Sequence, residues 1–344
     1  RDCLLSRGLG DVYKRQIVYF MVKLLWGNLY CNQGCYMKKI FSFLLVIISI
    51  CSLLLYGCSS NEQNSRQSEK LSIVTSIFPY YDFARNIVGD KADVKLLLSP
   101  GNEPHHYEPS PSDIVAIEEC DIFIYNGGES DEWVENVLDS LENKNITVLK
   151  MTDYVSLLNE KNPDHTDGDE ADEHIWTSVR NAEQLVKKIS DVVTEKDNKN
   201  KSEYENNTNQ YLLSLDELDK EFTDVVNNKK RDTVVFGDRF PFLYFMTDYG
   251  LNYECAFPGC SSETEPSLEV VTRLIDYVRD NNIPVVFHLE MSNSKIAQLI
   301  GDDTGAEILQ FSSCHNITKD EFNNGEDYIS VMKQNCSALK EALS

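Results

Sequence analysis

Two adjacent histidines, His105 and His106, lie in the segment GNEPHHYEPSPSD at 101–113, and the whole chain of 344 residues contains only six histidines. Neutral imidazole is the commonest metal ligand among protein side chains. Pro104 precedes His105, and its ring fixes its own φ and removes one backbone donor. The loop is therefore expected to be stiff and to hold the imidazole of His105 in one direction. The alternative interpretation is a histidine that only caps the helix predicted to begin near Ser112.

A second candidate ligand, His174, lies in DEHIWTSVRNAEQLV, just ahead of a predicted long helix. Both histidine segments are predicted to lie in strand-to-helix loops of one lobe, so their imidazoles can face a common cleft. Two ligands do not complete a site, because tetrahedral and octahedral metals need four to six. A further histidine, His165, lies in the acidic stretch PDHTDGDE, which we expect to be a solvated loop.

The elements that must position these residues alternate between strand and helix. In the first half, the predicted strands are LSIVTSIFP, DVKLLLSPG, DIFIYNGG and ITVLKM. In the second half they are DTVVFG, LNYECAF, IPVVFHLE and AEILQF. Strands separated by helices of about 10–15 residues form parallel sheets, and ligands bind near the carboxyl ends of such strands. The predicted fold class is therefore α/β, with two lobes at 71–200 and 230–344, each a mainly parallel sheet flanked by helices.

A single long helix is predicted to join the lobes, over 201–229. Apolar residues recur at three- and four-residue steps on one face of it, namely Tyr211, Leu212, Leu215, Leu218, Phe222 and Val225. The 202–227 part would span about 39 Å at the standard helical rise. That length is suited to a rigid rod between two lobes.

The start of the chain is typical of an exported lipoprotein. MKKIFSFLLVIISICSLLLYGCSS begins at Met37 with two lysines and continues with a short apolar run, so 37–57 is predicted to be a signal peptide. The ending LYGC at 55–58 resembles a bacterial lipobox, so Cys58 is the predicted lipidation site. Lipid on this cysteine would anchor the protein to the cell membrane, and the polar residues 58–70 would form the tether. An uncleaved membrane anchor is the alternative. Residues 1–36 fit no element and are excluded from the fold prediction.

The net charge of −24 becomes −29 once residues 1–57, with seven basic and two acidic residues, are removed. Nucleic-acid binding requires basic patches, so this charge argues against a nucleic-acid partner. The acidic surface suits a protein that attracts cations. A metal-dependent hydrolase is a competing function, but the sequence contains no HExxH motif and no residue clearly placed as a general base.

Several dissimilar motifs occur in a fixed order after the leader: GNEPHHYEPSPSD, IYNGGESDEWVE, EHIWTSVRNA, YFMTDYGL, SETEPS and TGAEILQF. Together they resemble the metal-binding solute receptors of ABC importers, which capture zinc or manganese, over about residues 70–344. The resemblance implies two lobes bridged by a rigid helix, with the metal held between them and no catalysis. It also implies delivery to a membrane permease driven by an ATPase, and we expect a monomer. The family's first two ligand histidines correspond to His105 and His174, with Glu173 in place of a family proline.

The C-terminal lobe departs further from the family pattern. The expected histidine or glutamate ligand, counted back from Tyr244, falls on Arg239, which has no lone pair to offer a metal. The family's last ligand falls near SSCHNIT and points to Cys314 or His315, either of which would favour zinc over manganese.

Other assignments remain open for this lobe. Glu290 and Asp238 are additional candidate carboxylate ligands or cleft-lining residues, and Cys314 has the alternative of a disulfide with Cys260. Arg239 is expected to line the cleft, where it would pair with Glu290 or Glu263 or bind an anionic ligand or a metal chelate.

Overall fold

The computed structural model describes residues 70–143, 145–159, 171–257 and 266–344. The predictions for the leader, for Cys58 and the tether before residue 70, and for His165, Cys260 and Glu263 lie outside these residues. Within the described part of the chain, no helix is long and apolar enough to cross a membrane.

The N-terminal half forms a four-stranded parallel sheet in the order β2-β1-β3-β4. Its strands are β1 (Leu71–Thr75), β2 (Ala92–Leu96), β3 (Ile122–Tyr125) and β4 (Thr147–Lys150). All four residues of β3 are buried. A strand that is covered on both faces in this way is typical of a parallel sheet flanked by helices.

The helices of this half are α1 (Phe78–Val88), α2 (Pro111–Glu119), α3 (Trp133–Ser140) and α4 (Val179–Lys196). α2 begins with a capping box in which Ser110 and Asp113 satisfy each other's backbone donors. The cap of this helix is therefore Ser110, and the alternative role of His105 as a helix cap is wrong.

The C-terminal half repeats the arrangement, with a parallel sheet in the order β6-β5-β7-β8. The strands are β5 (Thr233–Phe236), β6 (Asn252–Cys255), β7 (Val285–His288) and β8 (Glu307–Gln310). The helices α6 (Leu243–Tyr249), α7 (Leu268–Asp280), α8 (Lys295–Thr304), α9 (Lys319–Asn324) and α10 (Tyr328–Ala342) accompany them.

The long helix α5 (Lys201–Asn227) lies between the two halves in sequence and packs against α1, α4 and α10. Its 27 residues span about 40 Å. One face is buried, at Tyr204, Thr208, Tyr211, Leu215, Leu218, Phe222 and Val226. The predicted fold class is confirmed: two parallel α/β sheets and one long helix.

A continuous hydrophobic core runs through both halves, and it contains Ile73 of β1, Phe222 of α5 and Phe287 of β7. The neighbouring strand residues Val74 and Val286 point the other way, into a separate outer core on each sheet. The inner faces of the two sheets are thus held by one core, which fixes the strand ends that carry the site.

Candidate metal centre

Three histidines converge where loops from both sheets meet. His105 lies in a short 3-10 helix, Pro104–His106, in the loop between β2 and α2. His174 directly precedes the 3-10 helix Ile175–Thr177 that leads into α4. His315 follows β8, in the loop before α9. The carboxyl ends of strands supply two of these loops, which agrees with the usual location of ligand sites in parallel sheets.

The imidazole rings are close to one another. Ring centroids are 6.0 Å apart for His105 and His174, 5.2 Å for His105 and His315, and 5.6 Å for His174 and His315. One nitrogen of each ring lies within 4.8 Å of the others. Zinc bound to nitrogen at about 2.0–2.1 Å in tetrahedral geometry would separate its ligands by about 3.4 Å. Small side-chain movements are enough to close that difference.

His174 is oriented by Asp172. The Asp172 carboxylate accepts hydrogen bonds from the backbone N–H of His174 at 2.7 Å and from its ring Nδ1 at 2.9 Å. His174 is 1% exposed and Asp172 is 2% exposed. Because Nδ1 is engaged by the carboxylate, Nε2 is the ring nitrogen that can bind a metal.

The loop that carries His315 is held against the N-terminal half. The indole Nε1 of Trp176 donates to the carbonyl of Ser313 at 2.8 Å, and the Trp176 and His315 rings are 4.6 Å apart. The Asn316 side chain donates to the carbonyl oxygens of Ser99 and Asn102, at 2.9 and 3.0 Å. These bonds place His315 over the His105 loop.

His105 is held by Ser130. Its Nδ1 lies 2.8 Å from the Ser130 hydroxyl. Ser130 belongs to the short 3-10 helix Glu129–Asp131, which begins after Gly128 in the loop that follows β3. The side chain is 11% exposed, so it is the most accessible of the three imidazoles.

Burial favours the neutral imidazole at His105 and His315. Burial lowers the pKa of His105 to about 3, with further lowering by His174, Arg239 and His106. Burial, followed by the neighbouring His105 and His174, also holds the pKa of His315 well below its usual value. Both imidazoles are therefore neutral at physiological pH and retain a lone pair for coordination.

Two of the predicted ligands do not join this cluster in the described part of the chain. Cys314 is a free cysteine with no exposed surface, and burial raises the pKa of its thiol well above the usual value. Its disulfide alternative is therefore wrong, and its thiol belongs to the central core. The Glu290 carboxylate instead accepts hydrogen bonds from the backbone and hydroxyl of Ser313. These bonds fix the backbone two residues before His315.

Asp238 and Arg239 follow β5 and have structural partners. The Asp238 carboxylate accepts from the backbone N–H of Arg239 at 2.9 Å and of Leu289 at 3.1 Å. The guanidinium of Arg239 lies 3.2 Å from the carboxylate of Glu103, two residues before His105. The expected pairing of Arg239 with Glu290 is therefore wrong, because the nearer carboxylate comes from the opposite loop.

Sequence reasoning missed Asp172, Ser130 and Glu103. Asp172 had a usable signal, because a carboxylate two residues before a candidate histidine can reach the ring of that histidine. Ser130 and Glu103 had none, since their partners are 25 and 136 residues away.

The two parallel sheets, the long helix and the convergent imidazoles define the chain as a two-lobe α/β binding protein with a candidate metal site. Residues 73–342 match the family described as ZnuA, zinc-uptake complex component A periplasmic, and the chain belongs to this family. The family resemblance drawn from the motifs is therefore confirmed.

Individual relatives agree with this assignment. The zinc-binding lipoprotein AdcA of Streptococcus pneumoniae is 33% identical over 89% of this chain, and the chain spans 61% of the length of that protein. The high-affinity zinc uptake system protein ZnuA of Bacillus subtilis is 31% identical over 87% of this chain and 97% of its own length. The crystal structure of the Zn(II)-bound ZnuA-like domain of S. pneumoniae AdcA has a TM-score of 0.69 at 32% identity, over 80% of this chain and 99% of that domain.

Proposed function

We propose that the protein is an extracytoplasmic receptor that captures Zn²⁺ and delivers it to an ABC-type permease. The observation that carries the proposal is the convergence of His105, His174 and His315, whose ligand nitrogens lie within 4.8 Å of one another. Membership of the ZnuA family and the zinc-binding names of the relatives support the same metal.

The three imidazoles are the proposed ligands. His105 and His174 come from the N-terminal half and His315 from the C-terminal half, so a bound ion would bridge the two. Imidazole suits zinc, whereas manganese prefers carboxylate and water oxygens, and among the described residues the cluster offers nitrogen alone. Three protein ligands leave a fourth position on a tetrahedral ion. Zinc is therefore favoured over manganese.

The remaining parts of the proposal are supported by the family resemblance. The receptor would be a monomer, tethered to the outer face of the cell membrane through lipid on Cys58, and would hand zinc to the permease and its ATPase. The reaction is capture and release of a cargo ion, with no catalytic step and no nucleic-acid partner. Family membership and the lipoprotein name of one relative support an extracytoplasmic, anchored protein.

Metal titration tests the proposal. Chelator-stripped protein is titrated with Zn²⁺ and Mn²⁺ in competition with a chromogenic chelator. We expect one tightly bound zinc per chain, weaker manganese binding, and loss of zinc binding in His105→Ala and His174→Ala.

His106→Ala is the matched control, because His106 is the exposed neighbour of His105 and lies outside the cluster. It should bind zinc like the wild type. Absence of zinc binding by the wild type, or unchanged binding in both cluster variants, would refute the proposal.

A further inference from the structure

Glu173 is a buried carboxylate beside the histidine cluster, next to His174 in sequence, and it is 7% exposed. Both of its carboxylate oxygens are directed at Ser130. Oε2 accepts from the backbone N–H of Ser130 at 2.9 Å, and Oε1 accepts from the Ser130 hydroxyl. The backbone is also fixed, because the side-chain amide of Asn126 donates to the Glu173 carbonyl at 2.8 Å. Hydrogen bonds therefore hold both the backbone carbonyl and the side-chain carboxylate of Glu173.

The direction of these hydrogen bonds determines where the proton of His105 lies. A carboxylate can only accept, so the hydroxyl hydrogen of Ser130 is directed to Glu173. The Ser130 oxygen then presents a lone pair to Nδ1 of His105, 2.8 Å away. Nδ1 must carry a hydrogen to complete that contact. Nε2 is consequently the nitrogen with a lone pair.

We propose that Glu173, acting through the hydroxyl of Ser130, is a positioning residue that holds His105 in its Nδ1–H tautomer, which places the ring's lone pair on Nε2. The inference rests on the proposed zinc-binding function for its purpose. The tautomer itself is a property of the metal-free protein and can be tested separately.

Two of the three clustered imidazoles, those of His105 and His174, are thus oriented by consecutive acidic residues. Asp172 contacts the ring of His174 directly, at 2.9 Å. Glu173 lies 3.7 Å from Nδ1 of His105 and reaches it through the intervening hydroxyl. Carboxylates that accept from a ligand histidine orient the ring and raise its basicity. Among the described residues the ligand cluster contains imidazole alone, so these two carboxylates place negative charge next to the proposed ligands of a divalent ion.

The backbone at Gly128 makes room for this arrangement. A Cβ added there would lie 2.5 Å from Oε2 of Glu173 and 2.6 Å from its Cβ. Gly128 also has a φ of +106°, a backbone conformation that residues other than glycine rarely adopt. The glycine is therefore required by the close approach of Glu173 to this loop.

Two variants test the proposal, Ser130→Ala and Glu173→Gln, in the full-length protein. Ser130→Ala removes the hydroxyl, and Glu173→Gln leaves an amide that can accept only one of the two Ser130 donors well. Glu132→Gln is the control, because Glu132 is exposed and belongs to the same segment. We expect both test variants to weaken zinc binding about 10- to 100-fold, the usual effect of losing such a partner. The control should stay within about twofold of the wild type.

Long-range ¹H–¹⁵N NMR spectra of the metal-free protein supply a readout that a merely structural role would not change. The wild type should show His105 protonated on Nδ1, and both test variants should shift toward the Nε2–H form. His105 already in the Nε2–H form in the wild type would overturn the proposal, as would wild-type tautomer and affinity in both variants. A wild type with the expected tautomer but no zinc binding would instead refute the proposed function alone.

Discussion

The choice between His315 and Cys314 is the sharpest test of the site, because the two residues are adjacent and only one joins the cluster. His315 contributes one of the three clustered nitrogens, whereas the Cys314 thiol packs in the central core. His315→Ala removes a proposed ligand. Cys314→Ala leaves all three imidazoles in place. Alanine and cysteine both carry a Cβ, so the substitution does not change the conformational strain at the φ of +58°.

The expected magnitudes differ widely. Zinc sites with four protein ligands bind with about 10–16 kcal/mol, so one ligand accounts for about 2.5–4 kcal/mol. Removing His315 should therefore weaken zinc binding about 10²- to 10³-fold. Cys314→Ala should cost about 1 kcal/mol of folding stability from the lost buried group. Its zinc affinity should stay within about threefold of the wild type.

Both variants are measured by zinc competition with a fluorescent chelator of known affinity, and by urea unfolding of the metal-free proteins. Unfolding separates a ligand effect from a folding defect, because affinity is compared only between proteins shown to be folded. The reasoning fails if Cys314→Ala loses as much affinity as His315→Ala, or if His315→Ala keeps wild-type affinity.

Three further predictions concern residues around the site and the core. Arg239→Gln removes a positive charge that lowers the pKa of His105 and His315 and that would also repel a bound cation. Zinc affinity should therefore rise about tenfold in the same competition assay. A loss of affinity would instead indicate that Arg239 anchors an anionic co-ligand. Burial raises the pKa of Asp82 to about 6 from 3.8, so the folded protein takes up a proton as the pH falls through 6. The stability of the wild type relative to Asp82→Asn should therefore increase between pH 7 and pH 4, by about 3 kcal/mol at most, in urea unfolding; a difference that is constant or reversed contradicts this. Gly128→Ala should cost about 1–3 kcal/mol more in thermal unfolding than Gly325→Ala, because both have positive φ but only Gly128 meets a side chain; equal costs would show that the contact with Glu173 is unimportant.

Much of the fold could be predicted because short segments of the sequence carry clear hydrophobic patterns for strands and helices. Buried strands such as IFIY (122–125) are continuous apolar runs, and the spaced apolar face of α5 predicts a helix within two residues of its observed bounds. The helix α9 was missed, because its six residues carry no apolar periodicity and only the Thr318 capping box marks its start.

The site was predictable only in part, and the limit has a physical cause. His105 and His174 each follow a local signal, a rigid proline loop and a histidine ahead of a long helix. The choice between Cys314 and His315 depends on one backbone conformation, the positive φ at Cys314, which turns one side chain into the core and presents the next to the cluster. A residue that is not glycine rarely adopts that conformation, so no sequence pattern predicts it.

The same loop bears on how a bound ion would leave. The His315 segment is joined to the N-terminal half by Trp176, by Asn316 and by the backbone N–H of Gly101, which donates to the Ile317 carbonyl at 2.8 Å. These bonds do not involve His105, His174 or His315, and a continuous core lies beneath them. Loss of the ion alone would therefore not separate the two sheets. We expect release to proceed by local rearrangement of a ligand loop, and the first candidate is the segment that carries His105, which is the most exposed of the three histidines.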